Sequence, residues 1–434
     1  MVAIINPSFR VSNAKSFKES LLEPTYLAVG RIVPWVPTDI SPTANDLNPP
    51  TPGTSGQYTY DTYNSLIGAK RVSPADCVQG VKRNDWKTGT IYDEYDYRDH
   101  ELNNKKFFVI INDGSSADHL NVYKCISNNG GIASTAIPIG NSLTNITTAD
   151  GYIWKFMAKL NPIVFAKFAT SKFIPMKDAV VGDGSLQYVV QTTAVAGTID
   201  SIKIIDGGTG YSAATVTITG DGTGAAATAV ISGGIITKIV MSNIGSGYTY
   251  ASVTITGNGD DATAYANLAP ANGHGSSALN ELFAYYAMVD VALEYDEEGT
   301  ISTENDVRSI VIIQNPSAQD DSPFATSRAR LTTKLTYTGL IGTLEIDEIL
   351  TDDTTSAYGR IVEFDATYVY LTDTVGEFGG NPFTTSISAS TGVVTAIDLP
   401  DFKIGTGQML YVENRRPIQR DLSQVERYSI VFEW

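Results

Sequence analysis

Asp206-Gly-Gly-Thr-Gly-Tyr211, followed by Val216-Thr-Ile-Thr-Gly220-Asp-Gly222, returns 37 residues later as Asn243-Ile-Gly-Ser-Gly-Tyr248 followed by Val253-Thr-Ile-Thr-Gly257-Asn-Gly259. A fixed period of this kind marks a duplicated structural unit. In each copy the Gly-x-Gly-Tyr stretch supplies turn positions that accept φ > 0, and the Val-x-Ile alternation gives a strand with one buried face. Ile202/Ile239 and Ala227/Ala264 keep the offset, so residues 197–268 read as two copies of one hairpin unit. A second glycine-punctuated segment, 338–399, repeats with an offset of 34 at Gly342/Gly376, Leu344/Phe378 and Ile349/Phe383, slipping to 33 at Gly359/Gly392. Both segments read as modules inserted into a host domain.

Composition points the same way. The chain has 434 residues, of which 42% are apolar and 18% charged, so it has the makings of folded cores. Short runs of Ile, Val and Thr between glycines favour strands joined by tight turns. The net charge of −17 repels phosphate, which argues against nucleic acid or an anionic membrane as partner. Cys77 and Cys125 are the two cysteines, too few for a disulfide framework or a four-cysteine zinc site. The opening Met1–Pro7 is too short for a secretory apolar core, and no stretch approaches a membrane span, so neither export nor anchoring is expected.

Outside the modules, Ser12 stands before Ala14, Phe17, Leu21 and Leu22, a helical spacing that Glu23-Pro24 ends. Tyr26–Val33 reads as a strand, and the proline-rich stretch 34–56 as a long loop. Tyr60, Tyr63, Leu66 and Ile67, closed by Gly68, predict a second short helix, and Ser73-Pro74 caps a third ahead of Val78 and Val81. Gly273-His-Gly-Ser-Ser277 opens a short helix or turn before a strand from Tyr286 to Tyr295.

Chemistry finds little purchase. His100, His119 and His274 lie in no metal-ligand spacing, and His274 reads as a buried turn residue donating to the backbone. There is no GxSxG elbow, no Walker motif, and no GxGxxG opening a helix. Asp85, Asp93, Glu94, Asp96 and Asp99, interleaved with Tyr92, Tyr95 and Tyr97, have the residue types of a glycosidase pair or a hard-cation site. The plainer reading is a solvated loop. Gly220-Asp-Gly-Thr-Gly224 and Asn258-Gly-Asp-Asp261 lack calcium-loop spacing and read as turns. No catalytic, cofactor-binding or metal residue is assigned, and no cofactor is expected.

The C-terminal stretch Gly407-Gln-Met-Leu-Tyr-Val-Glu-Asn-Arg-Arg-Pro-Ile418, with Gln424–Trp434 after it, closely resembles the end of a baseplate wedge subunit of contractile-tailed bacteriophages, which carries a GxMxYxENRxPI element. The resemblance continues in order at Gly30–Trp35, Arg83–Trp86, Asp150–Trp154 and Ser309–Pro316. The two repeat segments depart from the best-known pattern and look like insertions in larger versions from cyanobacterial phages. The resemblance implies a β-sandwich subunit with helix-bearing loops, a homodimer within each wedge of the six-fold baseplate, contacts with other wedge proteins, and no catalysis.

The expected fold is therefore mainly β: a β-sandwich core with a few short helices and two inserted glycine-rich β modules. The core falls in 1–196, 269–337 and 400–434, with 197–268 and 338–399 inserted. The candidate core or interface residues are Trp35, Trp86, Trp154, Tyr411, Glu413, Asn414, Arg415, Arg416 and Pro417, the arginines either pairing with Glu413 or a partner's carboxylates or lying on a solvated face. The expected role is structural, in a virion tail baseplate assembled in the host cytoplasm. The alternatives are a receptor- or glycan-binding tail protein using Tyr211, Tyr248 and Tyr250, and a depolymerase using Asp93, Glu94 or Asp96.

Overall fold

The computed structural model describes every residue except 1–4, 40, 115, 296, 304 and 422, so Met1–Ile4 of the opening stretch lie outside the described residues. The fold is mainly β, built from several antiparallel sheets. The chain forms two compact units, one of 1–18, 78–288 and 431–434, the other of 19–77 and 289–430. Each contains one of the repeat modules.

In the first unit, the strands Phe108–Ile110, Asn121–Ser127, Ile153–Lys159 and Ile146–Thr147 lie in that order across one sheet. One face carries Tyr123, Trp154 and Phe156 into one core, and the opposite face carries Ile110, Val122 and Met157 into another. The N-terminal helix is Pro7–Ser20, which places Ser12 inside it and not at its cap. The start signal is Asn6-Pro7: the Asn6 side chain accepts from the Ser8 N–H at 2.8 Å, and proline suits the first helical position. The third expected helix is one 3-10 turn, Pro74–Asp76, because Val78 and Val81 belong to the strand Cys77–Lys82.

In the second unit, a five-stranded sheet runs Arg328–Arg330, Leu66–Val72, Thr25–Gly30, Asp306–Gln314, Gln408–Gln419. Thr25–Gly30 is buried at every position, as a strand covered on both faces requires. The helix Gly56–Asn64 follows it in the chain and precedes Leu66–Val72, with the Ser55 hydroxyl accepting from the Tyr58 N–H. Leu66, Ile67 and Gly68 are strand and not helix; a Cβ on Gly68 would stand 2.6 Å from Ile301. The terminal strand Val425–Glu433 lies along Tyr286–Glu294 and completes a sheet, as its alternation implies.

The 37-residue repeat does not fold as two hairpins. Its six strands are Ile199–Asp206, Ala214–Gly220, Thr223–Ser232, Ile235–Ser246, Ala251–Gly257 and Thr263–Leu268. Every hydrogen-bonded pair joins one copy to the other: first with sixth, second with fifth, third with fourth. Thr217 pairs with Thr254, its own counterpart in the repeat, so a local two-fold axis passes between them. Side chains obey the same symmetry. Asn258 accepts from the Ser212 and Ala213 N–H groups at 3.0 Å, and Asp221 accepts from Thr249 and Tyr250 at 2.9 and 3.2 Å. Tyr211 packs on Gly257 and Gly259 of the second copy, while Tyr248 packs on Gly220 and Gly222 of the first.

The second module is a closed barrel of Thr333–Ile341, Ile349–Asp352, Tyr358–Phe364, Tyr368–Val375, Pro382–Thr385 and Thr391–Asp398. Here too Leu335 pairs with its counterpart Val369. Around the ring the strands run first, fourth, third, second, fifth, sixth. The 37-residue module has the same order, with the first strand lying beside the fourth, the second beside the third, and the fifth beside the sixth. It is hydrogen-bonded at alternate junctions of the ring, whereas the barrel is bonded at all of them.

The interlock predicts matched behaviour at equivalent glycines. A Cβ at Gly222 would stand 2.4 Å from the Tyr248 ring, and one at Gly259 2.6 Å from the Tyr211 ring and 2.5 Å from a backbone carbonyl. Gly222→Ala and Gly259→Ala are each expected to cost ~1–3 kcal/mol by denaturant unfolding. Gly56→Ala, with open space around it and a helical position, is expected to be neutral or slightly stabilising.

Candidate functional site

The motif residues of the C-terminal stretch gather around a bulge. Val307 pairs with Ile418 and Ser309 with Asn414, which leaves Arg415-Arg416-Pro417 opposite the single residue Arg308. The strand Gln408–Gln419 is the edge of its sheet, a place that tolerates proline. Over this edge the proline-rich loop is fastened residue by residue. The Trp35 indole N–H donates to the Arg415 carbonyl at 2.9 Å, and Arg416 donates to the Leu47 carbonyl at 3.0 Å. Asn414 donates to the Pro50 carbonyl at 2.9 Å and accepts from the Tyr58 hydroxyl at 3.0 Å.

Charge holds the underside. Arg308, 4% exposed, grips both carboxylate oxygens of Asp46 at 3.0 and 2.9 Å and also donates to the Ile32 carbonyl. Asp46 in turn accepts from the Trp35 N–H at 2.9 Å, and the Arg308 bond holds its carboxyl below the usual range. The Arg31 guanidinium lies 3.9 Å from the Trp35 ring. Arg415 pairs with Glu413 at 3.0 Å, and the Tyr411 hydroxyl donates to Glu413 at 2.6 Å. Burial, then Glu413, raises the Tyr411 pKa. Sequence reading does not reach Arg308, Asp46 and Tyr58; the signal for Arg308 is a charged residue between Val307 and Ser309–Ile313 in an otherwise uncharged stretch.

Trp86 and Trp154 belong to the other unit and join neither this clamp nor each other's polar contacts. Trp154 is fully buried, stacked on Tyr152 at 5.4 Å with Tyr92 edge-on at 5.7 Å. Trp86 is half-buried, and its indole N–H donates to the Ser134 hydroxyl at 3.2 Å. Both are core residues.

The acidic stretch is not a solvated loop, because each of its carboxylates has a partner. Asp85 holds Arg83, Asp99 holds Lys105 at 2.5 Å, and Asp93 accepts from the Lys106 N–H at 3.0 Å. Glu94 pairs with Lys203, and Asp96 accepts from the Tyr265 hydroxyl, both residues of the repeat module. Asn267 adds a bond to the Tyr95 carbonyl at 2.7 Å. The stretch is the seat of that module. Of the three tyrosines in the sugar-binding alternative, Tyr211 and Tyr248 are buried and Tyr250 is exposed.

Behind the seat lies a buried ionic chain. His274 faces the Asp200 carboxylate at 2.5 Å, not a backbone carbonyl, with Glu281 3.7 Å from its other ring nitrogen. Glu281 pairs with the fully buried Lys124 and accepts from the Gly275 N–H at 2.8 Å. Tyr95 closes the group, edge-on to His274 and beneath Lys124. Burial alone would raise the Glu281 pKa, but Lys124 and then His274 outweigh it and hold it at about 2.

No family model matches the chain, and no curated protein matches it.

Two outcomes test these sites. Arg308→Lys loses the two-pronged grip on Asp46 and is expected to cost ~1–3 kcal/mol. Limited proteolysis should then cut within 36–54 faster than in the parent chain. For Glu281 the folded pKa lies below the ordinary 4.5, so its contribution is complete above pH 4.5 and fades as pH falls toward about 2. That contribution amounts to at most ~3 kcal/mol. Glu281→Gln should flatten unfolding stability across this window while lowering it at neutral pH, since Lys124 is left buried without its charge partner.

Proposed function

We propose that the chain is a structural component of a phage tail baseplate wedge. It binds neighbouring wedge subunits during assembly and contraction, is a homodimer within each wedge, and performs no catalysis. The observation that carries this reading is the Gly407–Ile418 element, in which the resemblance to wedge subunits is most specific. Its polar side chains are committed to fastening a loop over an edge strand, which suits a subunit that must keep its own edges closed while crowded against neighbours. A five-stranded sheet and a closed barrel in one unit, and a strand-swapped module in the other, give each unit surfaces set by its own folding, which suits an assembly part.

The test is to measure the mass of the full chain in solution and then add wedge proteins from the same virus. A dimer that enters a stable larger complex is the expected result. A monomer that ignores wedge proteins and binds host cells or glycans would overturn the reading in favour of a receptor-binding tail protein.

A further inference from the structure

A concavity of about 230 Å³ opens on the first unit beside Arg83. It is smaller than the ~300–1,000 Å³ that a drug-sized ligand needs, so it has room for one compact group. Its floor is neutral and fixed. Arg83 donates from Nε and Nη2 to the two oxygens of Asp85 at 2.8 and 2.9 Å, and from Nη1 to the Thr170 carbonyl at 3.0 Å. Its own N–H donates to the Lys172 carbonyl at 2.8 Å. The pair therefore cancels in charge and cannot swing away.

The walls are not neutral. Lys87 and Lys106 both line the opening, both are exposed, and the ammonium of neither pairs with a carboxylate among the described residues. Each is anchored through its backbone. The Lys87 N–H donates to the Tyr92 hydroxyl at 2.6 Å, and the Lys106 N–H to Asp93 at 3.0 Å. Asn84, Thr90, Tyr92 and Ser171 complete the lining. In a chain of net charge −17, this is a polar hollow with two uncommitted cations and donors around them.

We propose that this hollow receives a carboxylate side chain presented by another polypeptide. The chemistry is that of any compact oxyanion, and two exposed lysines hold a free anion weakly in salt. A carboxylate carried on a docked chain is presented at a high effective concentration and meets no such limit. The inference takes from the proposed function only that the chain docks on other polypeptides.

The test uses the full chain and three probes at constant ionic strength: the capped peptide acetyl-Gly-Glu-Gly-amide, its Gln counterpart, and inorganic phosphate. Amide NMR shifts are followed for each. The Glu peptide is expected to move the signals of Lys87, Thr90, Lys106 and Ser171 with millimolar affinity, the Gln peptide is expected to move them at least tenfold less, and Lys87→Gln/Lys106→Gln should abolish the response. Equal shifts with both peptides, no shifts, or shifts that survive the double substitution would overturn the proposal. So would phosphate binding tenfold or more tighter than the Glu peptide, which would make the hollow a free-anion site. None of these readings depends on wedge proteins, so a failure to co-assemble with them leaves this result standing on its own.

Discussion

A strand that ends a sheet exposes a row of unpaired N–H and C=O groups, and a chain built mostly of strands must close each such row or present it to its neighbours. This constraint shapes both units. The barrel has no edge at all, since its sixth strand bonds back to its first. The host sheet ends in Gln408–Gln419, and there the remedy is a three-residue bulge with a proline in it and a loop tied across. The bulge breaks the regular register that an added strand would need. The clamp side chains do so without adding a backbone ladder of their own.

Duplication solves the same problem within the modules. A single three-strand copy would leave both of its outer strands open. Two copies related by a two-fold axis give each strand of one copy a partner in the other, and the register shows it: Ile199 with Leu268, Ile231 with Ile236, Thr217 with Thr254. The glycines follow from the interlock. Gly222 and Gly259 lack a side chain because the other copy's tyrosine ring occupies that space, so the Gly-x-Gly of one copy and the tyrosine of the other act as one contact. That both modules share one ring order, at different periods, points to a single way of folding six short strands from two halves.

The sequence carried the strands well and their partners poorly. The period of 37 located the first module to within a few residues, since equivalent glycines and Val-x-Ile runs survive in linear order. Hairpins were the natural inference, because local turns are visible and swapping between copies is not: both arrangements bury the same alternating residues. Tyr63, Leu66 and Ile67 fit a helical spacing, yet Leu66–Val72 is a strand, because the partner that pairs with it is Thr25–Gly30, about 40 residues away. The clamp was half legible. Glu413 and Arg415 pair as their spacing suggests, yet Asp46 and Arg308 meet only through the fold.

The buried ionic chain behind the module's seat is a different kind of constraint. Desolvating Lys124, Glu281, His274 and Asp200 costs about as much as their attraction returns, so such a group adds little net stability over a well-packed apolar core. What it adds is discrimination. Asp200 is on the first strand of the repeat module, whereas Lys124 and Glu281 belong to the sheet and short helix that receive it. A module seated one register out would bury a charge without its partner, a penalty of several kcal/mol where an apolar contact would merely slide. Glu94–Lys203 and Asp96–Tyr265 repeat the check at the rim. The seat is thus polar at the positions where the module must be placed in one way, and apolar within each body, where a swap of similar volume is tolerated.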